Sequence, residues 1–163
     1  MSIVNPEKAM TSAEADRVMD ELLSRYPFIR GRELGKTFFG RPLRALALGD
    51  GPRQVLFTAA HHANEWLTAT VLLKFAEELA QAMASGGKIW GVPAENIRKL
   101  VTVHLVPMVN PDGVDQDTGA IRRDTADSDP HPSNSLSSPR GRGFGGSSGT
   151  GTAPGRIPPF PAG

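Results

Sequence analysis

No cysteine occurs in the 163 residues. A disulfide framework, a thiolate zinc site and a cysteine nucleophile are thereby excluded, leaving histidine, aspartate and glutamate as the side chains suited to hold a metal. Charge of one sign is also lacking, with 18 lysines and arginines against 17 acids and a net charge of +1. Such balance offers no electrostatic footprint for nucleic acid and no polybasic run for an anionic membrane surface. No stretch approaches the ~18 apolar residues that span a bilayer. The opening MSIVNPEKAM has no charged region followed by an apolar one, the order of a secretory leader. The expectation is a cytoplasmic protein without a nucleic-acid or membrane partner. Length and 39% hydrophobic residues fit one modest domain.

Glycine and proline are plentiful and unevenly placed. From Asp124 to Gly163, 40 residues hold 8 Gly, 7 Pro and 7 Ser, with Leu136, Phe144, Ile157 and Phe160 as the sizeable hydrophobes. That composition cannot bury enough apolar surface to offset its ordering entropy, so a disordered tail is expected over 122–163. The same stretch has no Lys, Glu, Gln, Val, Met, Tyr or Trp, although disordered tails are usually rich in Glu, Lys and Gln. GC-rich coding DNA read in a wrong frame yields such a vocabulary. A frame change or a premature end near Ile121 is the reading of that tail.

Residues before the tail alternate strand and helix signals. Thr11 and Glu14 form a capping-box pattern ahead of Val18, Met19, Leu22 and Leu23 at helical spacing, predicting a helix over 12–25 that Pro27 ends. Strand-like runs at 31–39 and 43–48 flank Gly40-Arg41-Pro42, a hairpin connection, and Gly49-Asp50-Gly51-Pro52 is the next turn. The run 54–60 is apolar without alternation, which predicts a central strand covered on both faces. A long helix over 65–84 follows, with Leu72, Phe75, Ala76, Leu79 and Met83 as its core face and Gly86-Gly87 as its end. A short helix over 94–99 leads to a strand over 101–109, with Pro107 near its end. Strand, helix and strand in that order predict a right-handed parallel βαβ unit.

Ligands of parallel α/β sheets collect beyond the carboxyl ends of strands. Two motifs fall there: His61-His62-Ala63-Asn64-Glu65-Trp66 after the run 54–60, and Asn110-Pro111-Asp112-Gly113 after the strand over 101–109. His62 and Glu65, three apart, can bring an imidazole nitrogen and a carboxylate oxygen to one ion at a loop-to-helix junction. The structural alternative is a Glu65 that caps the helix beside a solvated His62. His61 lies four before Glu65, so spacing leaves both histidines open. Asn110–Gly113 has the residue order of a type I turn. His104 inside a strand reads as a hydrogen-bonded structural histidine. Arg122-Arg123 could clasp a carboxylate, but adjacent arginines in a polar segment read as solvated surface.

Taken together, Tyr26-Pro27-Phe28, Leu34-Gly35-Lys36-Thr37, Gly40-Arg41-Pro42-Leu43, the His61–Trp66 motif and Val106–Gly113 resemble the zinc carboxypeptidases in order and spacing. The resemblance is closest to bacterial γ-D-glutamyl-meso-diaminopimelate peptidases, and it runs from Thr11 to Ile121. It implies an α/β fold: the N-terminal part, 11–121, of a mixed, mostly parallel sheet flanked by helices. It further implies a Zn2+ cofactor, a peptide or muropeptide substrate, His62 and Glu65 as metal ligands, and Asn110 and Asp112 on the cleft rim. In that family zinc is held by two histidines and a glutamate and activates water. A later glutamate serves as base, and an arginine steadies the oxyanion.

The sequence departs from that pattern in its chemistry. No glutamate follows Glu95, and the one histidine beyond the Asn110 turn is His131, in the tail. The third ligand and the general base are therefore missing, and loss of a general base alone costs roughly 10²–10⁴-fold. The expectation is a truncated, inactive metallopeptidase, with a non-catalytic peptide- or muropeptide-binding remnant as the alternative. A deacylase of the related aspartoacylase type shares the His-x-x-Glu logic, but the Trp66 and Asn110–Gly113 context favours the peptidase. If the fold needs strands beside 101–109, that strand would present an open apolar edge and poor solubility.

Overall fold

The computed structural model describes residues 2–121. The expected tail, with Arg122, Arg123 and His131, lies outside the described residues. Helix α1, Ser12–Arg25, has the predicted bounds. The Thr11 hydroxyl accepts the Glu14 N–H at 3.2 Å, a working N-cap. The reciprocal half of the capping box is not made, since the Thr11 N–H goes to the Ala9 carbonyl. The Glu14 carboxylate binds Lys8 Nζ and Arg17 Nη2, each at 2.7 Å. Ala15, Val18, Met19 and Leu22 recur at helical spacing and are buried. The chain leaves the helix at Tyr26, because Pro27 disfavours helical backbone in the residue before it.

Strands β1, Arg30–Lys36, and β2, Pro42–Leu48, form the antiparallel hairpin read from Gly40-Arg41-Pro42. Strand β3, Arg53–Thr58, is followed by helix α2, Trp66–Ser85. Then come β4, Lys88–Ile89, and β5, Val92–Pro93, an unforeseen miniature hairpin turning at Trp90 and Gly91, both with positive φ. Helix α3, Ala94–Leu100, leads into β6, Val101–Val106, and helix α4, Pro111–Asp117, completes the described chain.

The main sheet has the order β1-β2-β6-β3. β2 and β6 run antiparallel, whereas β3 and β6 run parallel, from Arg53 opposite Val101 to Thr58 opposite Val106. The expected mixed sheet with flanking helices is present, but "mostly parallel" is corrected: one of the three pairings is parallel. A tight connection permits only the antiparallel β1–β2 pair, while the long excursion through α2 and α3 permits the parallel one. The expected open edge also moves. β6 has a neighbour on each side, and β3 is the edge strand beside it, with β1 at the other edge. Instead of being covered on both faces, β3 is exposed at every position, Leu56 to 52%. An unalternating apolar run shows that both faces suit burial; it does not say what buries them.

The turn between β2 and β3 sets the parallel register. At Gly51 a Cβ would collide with the backbone of Leu100 and Val101, so only glycine allows the approach. There Thr102 Oγ1 donates to the Gly51 carbonyl at 2.7 Å. Across the sheet, Leu46, Leu48, Val103 and Leu105 share a core with α1 and with Leu73, Ala76 and Leu79 of α2. Full burial of each leucine contributes about 1.5–3 kcal/mol. Leu73 replaces the expected Leu72 and Phe75 at the centre of the α2 face, and those two lie half-buried at its margin. The Asn110–Gly113 turn continues into α4. Pro111 occupies a first-turn position where its missing donor costs little, and Asn110 Oδ1 accepts the Gly113 N–H at 2.9 Å.

Candidate metal centre

The two motifs meet as the parallel β3–β6 pair requires. Beyond Thr58 the pairing is prolonged: Ala59 N–H donates to the Val106 carbonyl, Val109 N–H to that of Ala59, and Asn110 N–H to that of Ala60, at 2.9–3.0 Å. Asn110 Nδ2 adds a bond to the His61 carbonyl at 3.3 Å. Asn110 thus caps α4 and holds the histidine loop with the same amide.

The structure separates the two histidines. His61 turns back, its Nε2 lying 2.9 Å from Thr58 Oγ1. His62 faces forward, with Nδ1 2.8 Å from Glu65 Oε1, and its backbone N–H donates to Glu65 Oε2 at 3.2 Å. Glu65 occupies the N-cap position of α2, but its carboxylate makes no capping bond and is aimed at His62. These hydrogen bonds, the imidazole's first and the backbone's second, hold the Glu65 carboxyl below the usual carboxylate range. A carboxylate and an imidazole nitrogen therefore converge on one solvent-facing point, their side chains 40% and 77% exposed.

That donor pair fits two positions of a zinc shell: both atoms are ordinary zinc ligands, neither is buried against hydrocarbon, and water can reach them. Among the described residues no third His, Cys, Asp or Glu joins them in a group able to hold a metal. His104, as read, is a strand histidine: its Nε2 lies 2.6 Å from Gln54 Oε1. Burial first, then Arg30 and Arg32, push its pKa down.

Asp112, expected on the cleft rim with Asn110, has other partners. Asp112 accepts Thr37 Oγ1 at 3.0 Å, the Phe39 N–H at 3.3 Å and Arg41 Nη1 at 2.8 Å, so it clasps the β1–β2 turn. Buried Asp115 accepts the Ser12 N–H at 2.7 Å, the Ser12 hydroxyl at 2.5 Å and Arg41 Nε at 2.9 Å. Burial works against the Arg41 charge, and its two aspartates outweigh that and raise its pKa. This clasp joins the start of α1, the β1–β2 turn and α4. Sequence reading missed Arg41, Ser12 and Asp115, whose partners lie 71–103 residues apart and leave no spacing signal.

Known proteins resemble the chain in sequence and in fold. The sequence profile of the zinc carboxypeptidases matches residues 15–136, past the Ile121 limit read from motifs. The protein YqgT of Bacillus subtilis is 32% identical over 116 residues, covering 70% of this chain and 31% of the relative. Gamma-D-glutamyl-L-diamino acid endopeptidase 1 of Lysinibacillus sphaericus is 33% identical over 94 residues, 58% of this chain and 24% of the relative. The chain thus spans a third or less of these relatives' length. In fold it is similar to carboxypeptidase A of Helicoverpa armigera, with a TM-score of 0.58 at 22% identity over 71% of this chain and 28% of that one. A His-x-x-Glu pair at the carboxyl end of a parallel strand, within a sequence that profile matches, leads to one assignment: the chain belongs to the zinc carboxypeptidase family.

Proposed function

We propose that His62 and Glu65 are two ligands of a catalytic zinc ion in a metallopeptidase that hydrolyses peptide or muropeptide bonds, with γ-D-glutamyl-diaminopimelate bonds as the substrate class. The observation that carries this reading is the convergence of His62 Nδ1 and Glu65 Oε1 at 2.8 Å on the exposed rim beyond β3. The L. sphaericus relative, named for cleavage at γ-D-glutamyl-L-diamino acids, supports the substrate class.

Zinc bound to this pair supplies Lewis acidity toward a carbonyl and acidifies water. The chain's own residues prepare for it. Glu65, whose carboxyl pKa is lowered by the hydrogen bonds from His62, offers a carboxylate oxygen. The imidazole presents Nδ1, and the Asn110 amide fixes the backbone of the adjacent His61. Two ligands alone hold the ion weakly, and no glutamate follows Glu95 to take the water's proton. The chain by itself is therefore inactive in this reading. The absent base also favours a second reading, a peptide- or muropeptide-binding protein that does not cut.

Calorimetric titration of the full chain with Zn2+ tests the metal assignment. Weak 1:1 binding, abolished by His62→Ala and by Glu65→Ala but not by His61→Ala, is the expected outcome. Binding that survives both ligand substitutions refutes it. Muropeptide binding by a chain that takes up no zinc favours the second reading.

A further inference from the structure

The loop that carries His62 and Glu65 is closed at its base by one hydroxyl. Ala60, the last residue before the loop, is buried and holds a left-handed backbone, φ +49°, which is unfavourable for any residue with a Cβ. Such a conformation persists only where neighbours impose it. Its N–H donates to Thr68 Oγ1 at 2.8 Å, and its carbonyl receives the Asn110 N–H at 2.9 Å. Thr68 Oγ1 in turn donates to the Glu65 carbonyl at 2.7 Å, which also receives the Thr68 N–H at 2.9 Å. A hydroxyl has one proton to give and lone pairs to accept with, so Thr68 serves both ends of the loop at once. Residues 61–65 are thereby looped between the two groups that Thr68 holds.

We infer that Thr68 is the positioning residue of the metal pair: it pins the left-handed turn at Ala60 to the first turn of α2 and so sets where His62 and Glu65 converge. This rests on the assignment of those two side chains to zinc. Thr68 is exposed, so it adds little to the core and can be replaced without opening a cavity. Valine keeps its shape and loses both hydroxyl bonds, whereas serine keeps the bonds.

Two measurements on the full chain decide the matter, each made on the unmutated protein, Thr68→Val and Thr68→Ser. In amide hydrogen exchange without metal, Ala60 N–H should exchange about three- to tenfold faster in Thr68→Val, the effect of losing a typical hydrogen bond, and return to the original rate in Thr68→Ser. In Zn2+ titration, affinity should fall about three- to tenfold in Thr68→Val and recover in Thr68→Ser. Unchanged Ala60 exchange in Thr68→Val overturns the clamp. Faster exchange with unchanged zinc affinity overturns the positioning role, and so does equal loss of affinity in both variants. Failure of the unmutated chain to bind Zn2+ refutes the metal assignment, while Ala60 exchange still decides whether the clamp exists.

Discussion

Glu65 and Asp112 show how differently two carboxylates of one site are employed. Glu65 is half-open to water and faced by an imidazole; Asp112 is occupied by Thr37, Phe39 and Arg41. The sequence marked both as site residues, but only the partners reveal that Asp112 braces the rim. Asp115, unmarked, is the more buried anchor. Replacing Asp115 with alanine leaves the Ser12 N–H and hydroxyl without their acceptor and Arg41 with Asp112 alone, and should destabilise the chain by about 1–3 kcal/mol in urea unfolding. Asp112→Ala, at a more open position, should cost less. Glu14 gives a pH signature. Hydrogen bonds from Arg17, then from Lys8, lower its pKa from 4.5 to about 2. A folded-state pKa below the unfolded value means stability that is present above about pH 4.5 and lost as pH falls toward 2. Half-exposed Arg17 is partly screened, so the loss should be on the order of 2 kcal/mol. Acid titration of stability should show that loss in the native chain and not in Glu14→Gln.

At the scale of elements, local signals fared best. Helix α1 was legible to the residue because an N-cap, apolar residues at helical spacing and a following proline all lie within its own stretch. The turn at Asn110 was legible, and its continuation as α4 follows the same local residues, Asn110 as N-cap and Pro111 in the first turn, an order that a type I turn shares. The rank of β3 in the sheet was not legible, since strand order follows from partners far along the chain. In the α2 stripe Ala76, Leu79 and Met83 are buried as read, but Leu73 stands where Leu72 and Phe75 were expected: Leu72 and Leu73 are equally apolar, and only the position of β2 and β6 against the helix chooses between them. Leu73→Ala should therefore cost about 2–5 kcal/mol, and Leu72→Ala clearly less, in the same denaturation assay. The His62–Glu65 pair proposed for the metal was legible as a spacing. The family resemblance implied His62 rather than His61, and the two histidines differ in partner, His62 facing Glu65 and His61 facing Thr58.

For the whole described unit, the exposed β3 edge is the dominant feature. Val55, Leu56 and Phe57 meet water on a strand paired along one side, and Phe57 continues into an aromatic run with Phe75 and Trp90. An apolar, unpaired edge recruits other strands. The full chain should self-associate in sedimentation velocity at micromolar concentration, and Leu56→Lys should shift it toward monomer. A monodisperse monomer that unfolds cooperatively would contradict this. That open strand leads directly into the loop of His62 and Glu65, so whatever pairs with the end of β3 also comes close to those two residues. The chain spans a third or less of the relatives it matches, and the activity of such a whole protein is proposed for it on the strength of His62 and Glu65. Anomalous diffraction at the zinc edge, from crystals of the full chain grown with Zn2+, tests the metal assignment most directly. The expected result is a peak within bonding distance of both His62 Nδ1 and a Glu65 carboxylate oxygen; a peak on His61 or His131 without those two, or no peak at all, would contradict it.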